Sequence, residues 1–123
     1  MAARTLETDY LVVGSGAAGM AFTDSLISET DDQVVMLDRR ARPGGHWNDA
    51  YCFVRLHQPS AYYGVNSTPL GAEAALAGGR EAGLYGRASG AEIRAYYDRV
   101  MSERLIASGR VRFFPQCEYL GDH

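Results

Sequence analysis

The stretch Asp9-Tyr10-Leu11-Val12-Val13 runs without a break into Gly14-Ser15-Gly16-Ala17-Ala18-Gly19, and nothing else in the sequence limits the fold as much. Consecutive apolar residues closed by glycine predict a strand buried on both faces, as in a parallel sheet. Met20 to Glu29 is rich in Ala, Met, Phe, Leu and Ile on nearly every face, which predicts a mostly buried helix. Thr30-Asp31-Asp32 makes a turn, and Gln33-Val34-Val35-Met36-Leu37 is a second buried strand closed by Asp38. Strand, crossover helix and strand in about 30 residues form a βαβ unit with a right-handed crossover.

The glycine spacing then carries chemistry. Gly14 permits a tight turn out of the strand, Gly16 lets a pyrophosphate approach the backbone, and Gly19 lets the helix pack close to the sheet. Ser15, Ala17 and Ala18 fill the turn, where the helix N-terminus offers free N–H groups and a positive dipole end. Asp38 stands 19 positions after Gly19, near the roughly 20 of a dinucleotide fingerprint, where its carboxylate accepts from ribose hydroxyls. A carboxylate there repels a ribose 2′-phosphate, which favours FAD or NAD over NADP at this site. Arg39, Arg40 and Arg42 follow at once, and read equally as a solvated turn or as a draw for phosphate.

Composition removes several classes of function. A net charge of -3 and a pI near 5.5 lack the basic footprint of a nucleic-acid binder. No apolar run nears the ~18 residues of a membrane span, and Met1 to Glu7 has no apolar core of a secretory signal, so the expected location is cytoplasmic. Cys52 and Cys117 form no CxxC, and three histidines make no zinc set with them, so no metal is expected. All 12 basic residues are arginine. That excludes a P-loop lysine, a Schiff-base lysine and a lysine general base.

Residues 39–90 hold most of the glycines and no long periodic segment. Only Cys52-Phe53-Val54-Arg55-Leu56 reads as a short strand, and the Ala/Gly-rich stretch from Gly71 to Gly90 reads as an excursion. Ser89 and Glu92 have capping-box spacing. Ile93, Tyr96, Tyr97, Val100, Met101 and Leu105 form an apolar stripe that predicts a helix over 91–107, stopped by Gly109. Arg94/Asp98 and Arg99/Glu103 have the spacing of helical ion pairs. Val111-Arg112-Phe113-Phe114 is a third strand. The three strands are expected parallel, in the order third, first, second or close to it.

After a spacer of five residues beyond Asp38 comes Gly44-Gly45-His46-Trp47. A GxGxxG turn, an acid ending the second strand, a short spacer and Gly-Gly-x-Trp together resemble the FAD-binding N-terminus of the flavin-containing monooxygenases and their Baeyer–Villiger relatives. The likeness is best over residues 8–47. It implies an α/β, Rossmann-like three-layer FAD/NAD(P)-binding fold, a parallel sheet with a βαβ unit, with residues 1–123 as the N-terminal part of one domain. It places Gly44 and Gly45 near the flavin, with His46 and Trp47 beside them as candidate cofactor contacts, and His57 and Gln58 in the segment that the family sets against the ring. This chain departs from the family in having Asp38 where most members have Glu, and His46 where a small residue is usual. The resemblance implies FAD as cofactor, NAD(P)H and O₂ as reactants, and a small organic substrate. No general acid, base or nucleophile is assignable by spacing. Cys52 lacks the partner that a disulfide reductase would need. A non-catalytic adenine-dinucleotide-binding module and an amine-oxidase-like flavoprotein remain as alternatives, with an NAD-dependent dehydrogenase behind them. With three strands and two helices, the chain is expected to need the rest of a longer parent for activity.

Overall fold

A computed structural model describes residues 3–50, 54, 56, 63–70 and 88–121. Strand β1 (Tyr10–Val13) leads into helix α1 (Ala17–Glu29) and strand β2 (Val34–Leu37). A 3₁₀ turn at Gly45–Asp49 and a small hairpin, β3 (Gly64–Val65) with β4 (Thr68–Pro69), follow. Helix α2 (Gly90–Arg99) then precedes strand β5 (Val111–Phe114). The turn and the hairpin lie in the region where the sequence predicts no ordered element beyond Cys52–Leu56. Of that expected strand, Val54 and Leu56 are described. Leu56 N–H donates to Ala88 O at 2.9 Å and Gly90 N–H to Val54 O at 3.0 Å, a short ladder onto the start of α2.

β1, β2 and β5 are parallel, with Tyr10 beside Val34 and Val34 beside Val111. Their order is β1-β2-β5, so the expected order of third, first, second is overturned. Burial gives the physical reason. Val34, Val35 and Met36 are all buried, as a central strand requires, whereas β1 buries only Val12 and leaves Leu11 48% and Val13 55% exposed. The expectation that β1 is covered on both faces fails with it, because β1 is the edge among the described strands. The same open side leaves Phe22 of α1 47% exposed, edge-to-face with Tyr10 at 5.8 Å.

One core joins the sheet to both helices. Val12, Val34, Met36 and Val111 meet Met20 and Ile27 of α1 and Ile93, Tyr96 and Tyr97 of α2. The capping box forms as its spacing predicts, with Glu92 N–H donating to Ser89 Oγ at 3.2 Å and Ser89 N–H to Glu92 Oε1 at 3.3 Å. α2 does not run evenly to residue 107. It widens into a π-helical stretch at Val100–Leu105, tightens into 3₁₀ at Ile106–Ser108, and stops at Gly109, whose φ of 78° is left-handed. The expected Arg94/Asp98 pair is replaced by longer-range contacts. Arg94 donates to Trp47 O at 3.1 Å, and Asp98 accepts from Arg42 at 3.4 Å.

The hairpin is held by two buried polar side chains. Tyr96 Oη accepts from Val65 N–H at 2.7 Å and donates to Thr68 O. Asp24 of α1 is fully buried and accepts from Ser67 N–H at 3.0 Å, from the Ser67 hydroxyl and from Arg104 Nε at 3.3 Å. A buried carboxylate needs such partners, since burial otherwise disfavours its charge. Tyr96→Phe strands the Val65 N–H and the Thr68 carbonyl in the interior. Denaturant melts should show a loss of about 1–3 kcal/mol, the usual cost of an unsatisfied buried group.

Candidate dinucleotide cleft

The sheet presents the C-terminal ends of β1, β2 and β5 to one cleft of about 460 Å³. Its lining includes Gly14 and Gly16 after β1, Asp38 to Arg40 after β2, Gly45, and Cys117 to Tyr119 after β5. A crevice outside the carboxyl ends of parallel strands is where open α/β sheets bind ligands.

Each glycine of the first turn has a physical reason to be glycine. Gly14 has φ +100°, a left-handed value that side chains rarely adopt. A Cβ on Gly19 would stand 2.1 Å from the Gly14 carbonyl oxygen, so the helix packs where only hydrogen fits. Gly16 differs. Its φ is -80° and a Cβ there would meet Gly45 Cα at an ordinary 3.5 Å. Gly16 is therefore not required by the fold; its bare backbone keeps the cleft open. It caps α1 without a side-chain hydrogen bond, and the first turn carries no acidic residue. No N-cap side chain engages the first N–H groups of the helix, at Ala17 and Ala18, and such groups suit an anion.

The second glycine pair packs onto the first turn. Gly44 N–H donates to Ser15 O at 2.8 Å, and a Cβ on Gly45 would lie 3.0 Å from Gly16 Cα. Gly44 and Gly45 both have left-handed φ, 116° and 58°. Trp47 does not line the cleft: its indole is buried, and Nε1 donates to Tyr63 Oη at 3.0 Å. Tyr63 continues an aromatic chain to Tyr97 at 6.3 Å, and Tyr97 to Tyr96 at 5.2 Å. Burial, then the hydrogen bond to Tyr63, pushes the Tyr97 hydroxyl far above its usual range. His46 is exposed and stacks on Trp47 with centroids 5.4 Å apart. His57, Gln58, Cys52 and Tyr62 lie outside the described residues.

Asp38 sits at the floor of the cleft, 7% exposed. Oδ2 accepts from Ser15 N–H at 2.9 Å and from Ser15 Oγ at 2.5 Å, while Oδ1 accepts from Arg40 N–H at 2.9 Å. Burial alone would raise its pKa. The Ser15 hydroxyl, the Arg40 and Ser15 amides and the Arg40 charge outweigh burial and hold the carboxyl below its usual value. Arg40 itself turns to Asp49, with Nη2 2.7 Å from Oδ2. Arg39 is exposed on the cleft and, among the described residues, has no ion-pair partner.

The third wall is one that sequence reasoning missed. Gln116 N–H donates to Arg40 O at 3.0 Å and Cys117 N–H to Asp38 O at 2.8 Å, which clamps the segment after β5 onto the segment after β2. Gln116 takes φ 56° to make that bend. Cys117, Glu118 and Tyr119 thereby face Asp38 across the cleft. Correct strand order was the signal that would have found them, since the loop after a strand beside β2 must lie next to Asp38.

Comparisons with known proteins agree with this geometry. Residues 12–66 match the model of the NAD(P)-binding Rossmann-like domain. An uncharacterized protein of Mycobacterium tuberculosis is 58% identical over 120 residues, which is 98% of this chain and 22% of that protein. The chain thus spans about a fifth of the length of the curated relatives it matches. Among solved structures, the flavin-containing monooxygenase of Stenotrophomonas maltophilia is similar with a TM-score of 0.61 and 22% identity. The alignment covers 85% of this chain and 28% of that one. An oxidized steroid monooxygenase bound to NADP has a TM-score of 0.60 at 24% identity, over 86% of this chain and 19% of its own. Among the described residues no helix is long and apolar enough to cross a membrane. The parallel sheet, the glycine turn and the acid ending β2 are those of an NAD(P)-binding Rossmann-like fold, the fold that this chain shares with flavin monooxygenases.

Proposed function

We propose that this chain is the FAD-binding part of an FAD-dependent oxidoreductase of monooxygenase type, with NAD(P)H as reductant and O₂ and a small organic substrate as co-reactants. The observation that carries the reading is the meeting of an uncapped helix N-terminus, a side-chain-free Gly16 and the Asp38 carboxylate in one cleft. These groups fit a dinucleotide. The free N–H groups of α1 suit a pyrophosphate, and Asp38 suits the hydroxyls of an adenosine ribose. Similarity to proteins whose names specify flavin and NADP supports flavin as the second half. The bound flavin would supply the redox chemistry; the chain's own residues bind it, orient it and hold the first glycine turn open. Substrate and nicotinamide sites are assigned to the remainder of a longer protein, and residues 1–123 are expected to oxidise no NADPH alone.

The test is retention of cofactor. The full-length protein should purify with the visible absorption of bound flavin, or take up added FAD. Asp38→Ala should weaken FAD binding by about 1–3 kcal/mol, the loss of charge-assisted hydrogen bonds. A colourless protein that binds no added FAD, with a normal melt, would overturn the reading.

A further inference from the structure

Ser15 is wholly buried, and three parts of the cleft meet on it. Its N–H and hydroxyl both hold Asp38 Oδ2, at 2.9 and 2.5 Å, and its carbonyl accepts from Gly44 N–H at 2.8 Å. Asp38 Oδ1 is held by Arg40 N–H. A carboxylate offers about four lone-pair sites, and three are taken, so any rotation of the group would break those bonds, and one acceptor position is left on a residue that lines the cleft. This matters for what the cleft admits. Arg39 is an exposed cation on the same lining, and a mobile Asp38 would swing away and leave that cation to draw a phosphate.

We infer that Ser15 is a specificity-determining positioning residue: by pinning the Asp38 carboxylate it makes the cleft accept an adenosine ribose with a free 2′-hydroxyl and refuse one that carries a 2′-phosphate. Ser15 acts through Asp38 and touches no ligand itself. The inference rests on the dinucleotide reading above and deepens it by naming which ribose is chosen and how.

The experiment strips FAD from the full-length protein and measures how strongly ADP-ribose and 2′-phospho-ADP-ribose each compete with FAD for rebinding, so that only this cleft is read, and takes the ratio of the two inhibition constants. The parent should prefer ADP-ribose. Ser15→Ala should cut that preference by about tenfold, the scale of one charge-assisted hydrogen bond. In an Asp38→Asn background the same change should leave the ratio where it was, because the two residues act as one unit. Ser15→Cys keeps the shape with a weaker donor and should give an intermediate ratio. It serves as the reading if the alanine variant does not fold. Equal weakening of both ligands, with the ratio intact, would show Ser15 to be merely structural and overturn the inference while the dinucleotide reading stands. Failure of the parent to bind either ligand overturns both.

Discussion

Gly19→Ala is expected to cost about 3 kcal/mol or more, at or above the top of the usual overpacking range. The new Cβ would sit 2.1 Å from the Gly14 carbonyl oxygen, and that oxygen belongs to backbone. A flexible side chain would turn aside; here α1 must shift away from the end of β1. Gly14 cannot give way easily, since its N–H is bound to Leu37 O at 2.8 Å and its φ is already left-handed. A domain with only about 5–15 kcal/mol in hand loses a large share of it. The check is a urea melt followed by far-ultraviolet circular dichroism. A midpoint equal to that of the parent would mean that the helix and strand are not packed as described.

Gly16→Val should have the opposite signature: a melt close to that of the parent and no measurable binding of FAD. The backbone at 16 is one that β-branched residues adopt, and the first side-chain atom finds ordinary contact distance to Gly45 Cα. The remaining methyls fill the space between the two glycine turns, where a pyrophosphate would approach the N-terminus of α1. Gly16→Ala is the milder companion and should fold as the parent does with reduced affinity. Titration of FAD into the FAD-stripped full-length variants reads both. Parent-like affinity in the valine variant would remove the first glycine turn from the site.

These two glycines show how far the sequence could be read. The spacing Gly14, Gly16, Gly19, Asp38 was enough for the βαβ unit and for the floor of the cleft, because Gly14, Gly19 and Asp38 each answer to a local geometric demand. The C-terminal end of α1 at Glu29 and both ends of β5 fell as expected. Strand order did not, since apolar runs announce strands without saying which neighbour each will take. β1 and β2 look alike as sequence, and only the placing of β5 beside β2 makes one the edge and the other the centre. That single displacement also hid Cys117, Glu118 and Tyr119. Trp47 shows another limit. The motif sets its position in the chain, while the hydrogen bond to Tyr63 decides that the indole goes to the interior instead of the cleft. The hairpin at 64–69 had no signal of its own, because what orders it is distant: Asp24 and Tyr96.

The interior placing of Trp47 gives the molecule a built-in optical probe. It is the sole tryptophan of residues 1–123, so all indole emission of this part comes from one spot. That spot is two residues from Gly45, on the cleft wall, yet shielded from water and bonded to a tyrosine. A change of colour in its emission therefore reports the opening of the aromatic interior. A change of brightness at constant colour reports an absorbing group arriving next door, so within residues 1–123 folding and occupancy give separable signals without any added dye.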